Sequence, residues 1–184
     1  MFIAEKAFIL FRTVTTEDYV MAIKHPDEIA ASGSEEAIQR ALMQAVALWI
    51  IPKHPSATTL YHIPNGGARG KDARDAKIQG AKMQAAGQKK GIPDLCLPVP
   101  RQGYAALYIE MKKPKSGKLS PDQRRRIKEL TSYGNFVIVV DAWLDGYYVM
   151  EAWYNWEQAV FRQTFAVFDC GQGLFIYDPK GFWS

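Results

Sequence analysis

Tyr104-Ala105-Ala106-Leu107-Tyr108-Ile109-Glu110-Met111-Lys112 alternates apolar and polar side chains with the period of a β-strand. Leu107, Ile109 and Met111 point to one face; Tyr108, Glu110 and Lys112 point to the other. Just upstream, Gly91-Ile92-Pro93 makes a sharp approach to a second strand at residues 94–97. A turn over residues 98–103 would pair the two as a hairpin. That pairing sets Asp94 beside Glu110. Two carboxylates and a lysine then converge next to the most basic loop of the chain, residues 113–119. A Glu-x-Lys triplet arises by chance about once in a chain of this size, so the signal lies in its neighbours.

The same stretch organises what surrounds it. Ser120-Pro121 opens a helix, with serine as N-cap and proline in the first turn, running to Tyr133 and closed by Gly134. Residues 136–140, Phe-Val-Ile-Val-Val, are the continuous apolar run of a buried strand, open to parallel pairing. Upstream, residues 72–86 read as a helix that stops at Gly87. Asn65-Gly66-Gly67 marks a loop, and residues 58–63 a short β-rich run. Ser32 and Glu35 have capping-box spacing. Ile38, Leu42, Ala45 and Trp49 then recur at helical spacing until Pro52. Residues 1–31 read as an irregular lead-in with some β content. Residues 141–184 are aromatic-rich, with short strand and helix pieces. The order α-β-α-β-β-α-β predicts an α/β fold: a mixed central β-sheet flanked by helices on both sides.

At 184 residues, 48% apolar and 23% charged, the chain suits one soluble domain (1–184) with a real core. No apolar run approaches the roughly 18 residues of a membrane helix. Glu5 and Lys6 interrupt the N-terminal apolar stretch, so no signal peptide is expected. Cys96 and Cys170 are far apart, which argues against a disulfide framework and a cysteine zinc site. They fit a reducing, cytoplasmic compartment; only the single-domain size suggests a bacterial cell or a phage product.

The net charge of +4 hides an uneven distribution. Residues 62–90 carry seven Lys/Arg against two acids, and residues 111–128 carry eight against one. The remainder is therefore acidic. Two basic blocks on an acidic background attract a polyanion. Neither block interleaves lysine with the apolar face of an interfacial helix, so a membrane partner is not expected.

Asp94, Glu110 and Lys112 suit metal-assisted phosphodiester hydrolysis. Mg²⁺ takes hard oxygen ligands, one or two carboxylates with retained waters. Lys112 beside two acids stays cationic and can orient water or steady developing charge. His62 is the nearby imidazole. His25 and His54 adjoin prolines, and no histidine pair has zinc-ligand spacing.

Gly91-Ile92-Pro93-Asp94-Leu95, Tyr108-Ile109-Glu110-Met111-Lys112 and Leu119-Ser120-Pro121-Asp122-Gln123 resemble the VRR-NUC nucleases of the PD-(D/E)xK superfamily. Ile63-Pro64-Asn65-Gly66-Gly67-Ala68-Arg69 and the Glu35…Gln39 helix are similar to its single-domain phage and bacterial members. The resemblance spans residues 34–140, leaving 1–31 and 141–184 as N- and C-terminal extensions. It implies a restriction-endonuclease-like core and a Mg²⁺- or Mn²⁺-dependent endonuclease. Asp94 and Glu110 would ligate metal, with the Met111 carbonyl and Glu35 adding ligands. Glu36 competes with Glu35, and the capping box competes for the Glu35 carboxylate. Lys112 would be the catalytic lysine and Gln123 its neighbour at water or phosphate. His62, Asn65, Arg69 and Lys71 would contact phosphate or shape the junction; Lys113, Lys115 and Lys118 would border the DNA path. By analogy with junction resolvases, the substrate would be branched or Holliday-junction DNA and the assembly a homodimer. A flap or nick nuclease, or a non-catalytic nucleic-acid-binding protein, is the alternative. Trp143, Trp153, Trp156 and Trp183 could stack on bases, or else pack in a core or dimer face.

Overall fold

Phe136-Val137-Ile138-Val139-Val140 (β4) is buried at every residue because helices cover both of its faces. The computed structural model describes residues 24–64, 72–165, 168–169 and 175–177. β4 pairs in parallel with Leu107–Met111 (β3), which pairs antiparallel with Leu95–Leu97 (β2). Tyr61–His62 (β1) adds an antiparallel edge to β2. On the far side, Phe175–Tyr177 (β6) lies parallel to β4, and Phe168–Asp169 (β5) closes antiparallel on β6. The sheet is thus mixed, in the order β1-β2-β3-β4-β6-β5.

The period-two alternation of β3 divides the protein into two layers. Leu107, Ile109 and Met111 join Leu95, Leu97, Phe136, Ile138 and Val140 in the larger core. Helices Glu35–Ala45 (α2) and Trp143–Asn155 (α5) cover that face through Ile38, Leu42, Val149 and Trp153. Pro26–Ala30 (α1) packs beside α2, and Gln158–Phe165 (α6) inserts Phe161 and Phe165. The opposite face, Val137 and Val139, is covered by Leu119 and by Ile127 of Pro121–Ser132 (α4). α4 is the crossover that parallel β3–β4 pairing demands.

Several local expectations are corrected. Part of the predicted irregular lead-in is the helix α1, whereas residues 1–23 lie outside the described residues. Ser32 is not the N-cap of α2. The Gly33 amide donates to the Ala30 carbonyl and completes the turn out of α1. Ser34 takes the cap, its Oγ accepting from the Ala37 amide at 3.1 Å. Glu35 is then the first helical residue rather than the third, so no capping box holds its carboxylate. α2 ends in a π-helical stretch, Val46–Ile50, before Pro52. Residues Pro55–Thr59 form a 3-10 turn, leaving only two residues of the predicted β-rich run as β1. Trp143 and Trp153 are core side chains, so the aromatic richness of the tail serves packing there. Trp156 is more exposed and stacks on Phe165. Trp183 lies outside the described residues.

One close approach ties the Asp94 strand to α4. Gly91 has φ +74, and a Cβ there would lie 2.4 Å from both backbone C and O of Asp122. Gly134 has nearly the same φ, +77, with nothing within 4 Å of its virtual Cβ. Gly134→Ala should therefore cost only backbone strain, about 1–2 kcal/mol. Gly91→Ala adds a backbone clash and should cost at least about 1 kcal/mol more. Urea unfolding of the two variants checks this; equal losses would mean that the loop does not bear on α4.

Candidate active site

The hairpin register sets the acid pair. Leu95 faces Ile109 and Cys96 faces Tyr108, so Asp94 falls opposite Glu110. Asp94 Oδ2 accepts from the Met111 amide at 2.8 Å. An amide and carbonyl of one strand residue point toward the same neighbouring strand. The Met111 carbonyl is therefore on the Asp94 side, whereas the Lys112 amide turns the other way, to the Val140 carbonyl at 2.8 Å.

Glu110 is 1% exposed and Lys112 5%. A solvated strand edge is excluded: β3 is an interior strand. Lys112 Nζ meets Glu110 Oε1 at 2.7 Å and donates to Gln123 Oε1 at 3.2 Å. Gln123 Nε2 donates to Glu110 Oε1. Gln123 is also the third residue of α4. Its Oε1 accepts from the Ser120 amide at 2.8 Å, while Ser120 Oγ accepts from the Gln123 amide. The capping box of this chain is thus Ser120-Pro121-Asp122-Gln123, a spacing present in the sequence but assigned there to Ser32 and Glu35. One amide closes a helix end and grips both Glu110 and Lys112.

Glu35 reaches the same place from α2. Its Oε1 accepts from the Lys113 amide at 3.0 Å, and its charge is felt by Glu110. Glu36 is exposed and has no such link. Between the two helix carboxylates, the geometry brings Glu35 to the pair. His62 does not join: it registers with Leu95, on the face opposite Asp94, and is exposed. Asn65, Arg69 and Lys71 lie outside the described residues. Lys113, Lys115 and Lys118 are exposed along the loop that leaves Lys112. That loop folds tightly, the Gly117 amide donating to the Lys113 carbonyl at 3.0 Å. A Cβ at Gly117 would lie 2.7 Å from Lys112 Cβ.

The electrostatics leave a place for a cation. Burial, then the facing Asp94 carboxylate, push Glu110 up to about 8, against the pull of Lys112. Glu110 Oε2 is buried with no hydrogen-bond partner among the described residues. Excess negative charge and an orphaned carboxylate oxygen are what a hard divalent cation relieves. Among the described residues, no group of three His, Cys, Asp or Glu side chains is placed to hold a metal ion. The acid pair Asp94 and Glu110 offers hard oxygen donors, one or two carboxylates of the kind that suits Mg²⁺ better than Zn²⁺.

The sequence profile of the VRR-NUC domain matches residues 37–143. The chain belongs to the VRR-NUC domain family. A solved structure, a "VRR_NUC domain protein", superposes with a TM-score of 0.54 at 24% identity. The match covers 65% of this chain and 87% of that one. No curated protein matches. A VRR-NUC domain is a nuclease-type domain, and its partner is DNA. The α/β fold with helices on both sheet faces is the fold of this family.

A metal-free test follows from Glu110. A carboxyl that holds its proton more tightly folded than unfolded contributes its full stability below its unfolded pKa. It loses that contribution as pH rises through the folded value. For Glu110 the window runs from about 4.5 to about 8. In EDTA, stability to urea should fall across that window, and Mg²⁺ should restore it most at the alkaline end. Glu110→Gln combined with Lys112→Met removes both charges and should flatten the curve.

Proposed function

We propose that this VRR-NUC chain is a Mg²⁺- or Mn²⁺-dependent endonuclease that hydrolyses phosphodiester bonds in branched DNA, the four-way junction foremost. The observation that carries this reading is the convergence of Asp94, Glu110 and Lys112 on one buried strand pair, directly before a loop of exposed lysines.

Asp94, Glu110, the Met111 carbonyl and Glu35 are the groups that would hold the cation. When bound, it lowers the pKa of a water and offsets charge developing on phosphorus. The Lys112 ammonium orients the attacking water and shares that charge. Water adds to phosphorus, the bond to the leaving sugar oxygen breaks, and that oxygen collects a proton. Gln123 acts through its neighbours, holding Glu110 by Nε2 and Lys112 by Oε1. Lys113, Lys115 and Lys118 grip phosphates without reading sequence. A two-fold dimer would offer two such sites to the paired strands of a junction.

The deciding assay compares four-way junction, flap, nicked, single-stranded and linear duplex DNA, with Mg²⁺, Mn²⁺ or EDTA. The junction should be cut fastest, EDTA should abolish cutting, and Lys112→Ala should reduce the rate at least about 100-fold. Cutting of flap or nicked DNA first would replace the junction assignment. Tight binding of all substrates with no cutting would make the chain a binding module. Lys118→Ala should weaken binding evenly across substrates and lower the salt dependence by about one unit of slope. Light scattering of the free protein and its junction complex reads the dimer.

A further inference from the structure

Beside the carboxylates lies a cavity of about 540 Å³ that the cleavage chemistry does not use. Tyr61 of β1 and Tyr108 of β3 line it from the sheet, in one cross-strand row that runs through Cys96 of β2. This row occupies the same sheet face as Asp94 and Glu110, two residues along each strand. Two strand residues span about 7 Å, so the cavity begins one nucleotide's reach from the acid pair. Met83 and Ala86, at the end of helix Ala73–Ala85 (α3), line it together with Ile63 and Ile92. Gln88 and Lys89 add the polar groups.

Tyr61, on the edge strand, is 48% exposed and lines this space. Phenol rings are uncharged near neutral pH. A slot walled by two neutral aromatic rings and aliphatic side chains suits a flat, apolar, uncharged group. The exposed Lys89 ammonium, with Lys90 next to it, suits an anion attached to that group. A base in a duplex is covered on both faces by its neighbours, whereas an unpaired one has its faces free to stack.

We propose that this cavity seats an unpaired nucleobase of the strand being cut, stacked against Tyr61 and Tyr108, next to the phosphate held at Asp94 and Glu110. The proposal rests on the nuclease reading of the site and adds a reason for selectivity. DNA whose structure frees a base beside the scissile phosphate is bound in register, whereas intact duplex must first expel one. Stacking on an aromatic ring is sequence-tolerant, so the preference is for structure rather than for a base.

Wild type, Tyr61→Ala and Tyr61→Phe are each titrated with branched and gapped DNAs carrying single 2-aminopurines near the cut site, in EDTA. Cleavage is then followed with Mg²⁺ on the same DNAs and on copies with an abasic nucleotide at that position. Tyr61 is an exposed edge residue, and the melting temperature of each variant checks its fold. The expected result is an emission change at one position, lost in Tyr61→Ala and kept in Tyr61→Phe. Tyr61→Ala should also raise KM for base-containing DNA about tenfold with kcat little changed. On abasic DNA the variant and wild type should be alike. If Tyr61→Ala matches wild type in both emission and KM while cutting proceeds, the pocket proposal is overturned and the nuclease stands. If wild type cuts nothing, the nuclease reading falls and the emission arm alone decides the pocket. A change of oligomeric state in Tyr61→Ala, with emission unaltered, would make the cavity a contact between protein chains and overturn the proposal.

Discussion

A carboxylate almost wholly removed from water, facing a second carboxylate, is the constraint around which this protein is arranged. Glu110 sits in an interior strand because its neighbours Ile109 and Met111 are required by the core beneath. Alternation then forces Glu110 and Lys112 to the other face. Burying a charge there costs several kcal/mol unless partners compensate. Lys112 and Gln123 satisfy one oxygen, and the other is left without a partner among the described residues. The arrangement is thus one of tolerated electrostatic strain. Such strain clusters at functional sites rather than where a core is being stabilised.

The elements that supply partners are each held by something other than the site. α4 is fixed by its own N-terminal capping and by the Gly91 loop lying against its first turn. α2 is fixed by Ile38 and Leu42 in the larger core. The lysine loop is fixed by its internal turn. Because these supports are independent, the side chains they present keep their places without paying for one another. This is the requirement for preorganisation, in which functional groups are oriented before any ligand arrives.

Much of this was legible in the order of residues. The alternation of Tyr108 to Lys112 and the apolar run of β4 are strong periodic signals, and the hairpin placed Asp94 opposite Glu110. The VRR-NUC motifs named the acids and the lysine. Other parts were not legible, for physical reasons. Ser32 and Ser34 are both good caps, and only the turn leaving α1 decides between them. That decision releases Glu35 toward Lys113. His62 lies on the sheet face away from the acid pair because one residue along a strand reverses the face, a parity that only the β1–β2 register sets. The tail's tryptophans could not be assigned from composition, because burial depends on α5 finding the larger core face. The Tyr61–Cys96–Tyr108 row needs three strands in register, and no linear motif encodes that.

The separations along the chain bear on what completes the site. Asp94 and Met111 are 17 residues apart, and Glu110 and Gln123 13 apart. Glu35 and Lys113 are separated by 78. Short closures cost less chain entropy than distant ones. The hairpin carrying the two acids can therefore form while the site still lacks its helix carboxylate. The complete set of side chains around Glu110 depends on the long-range packing of α2, the closure that costs the most chain entropy.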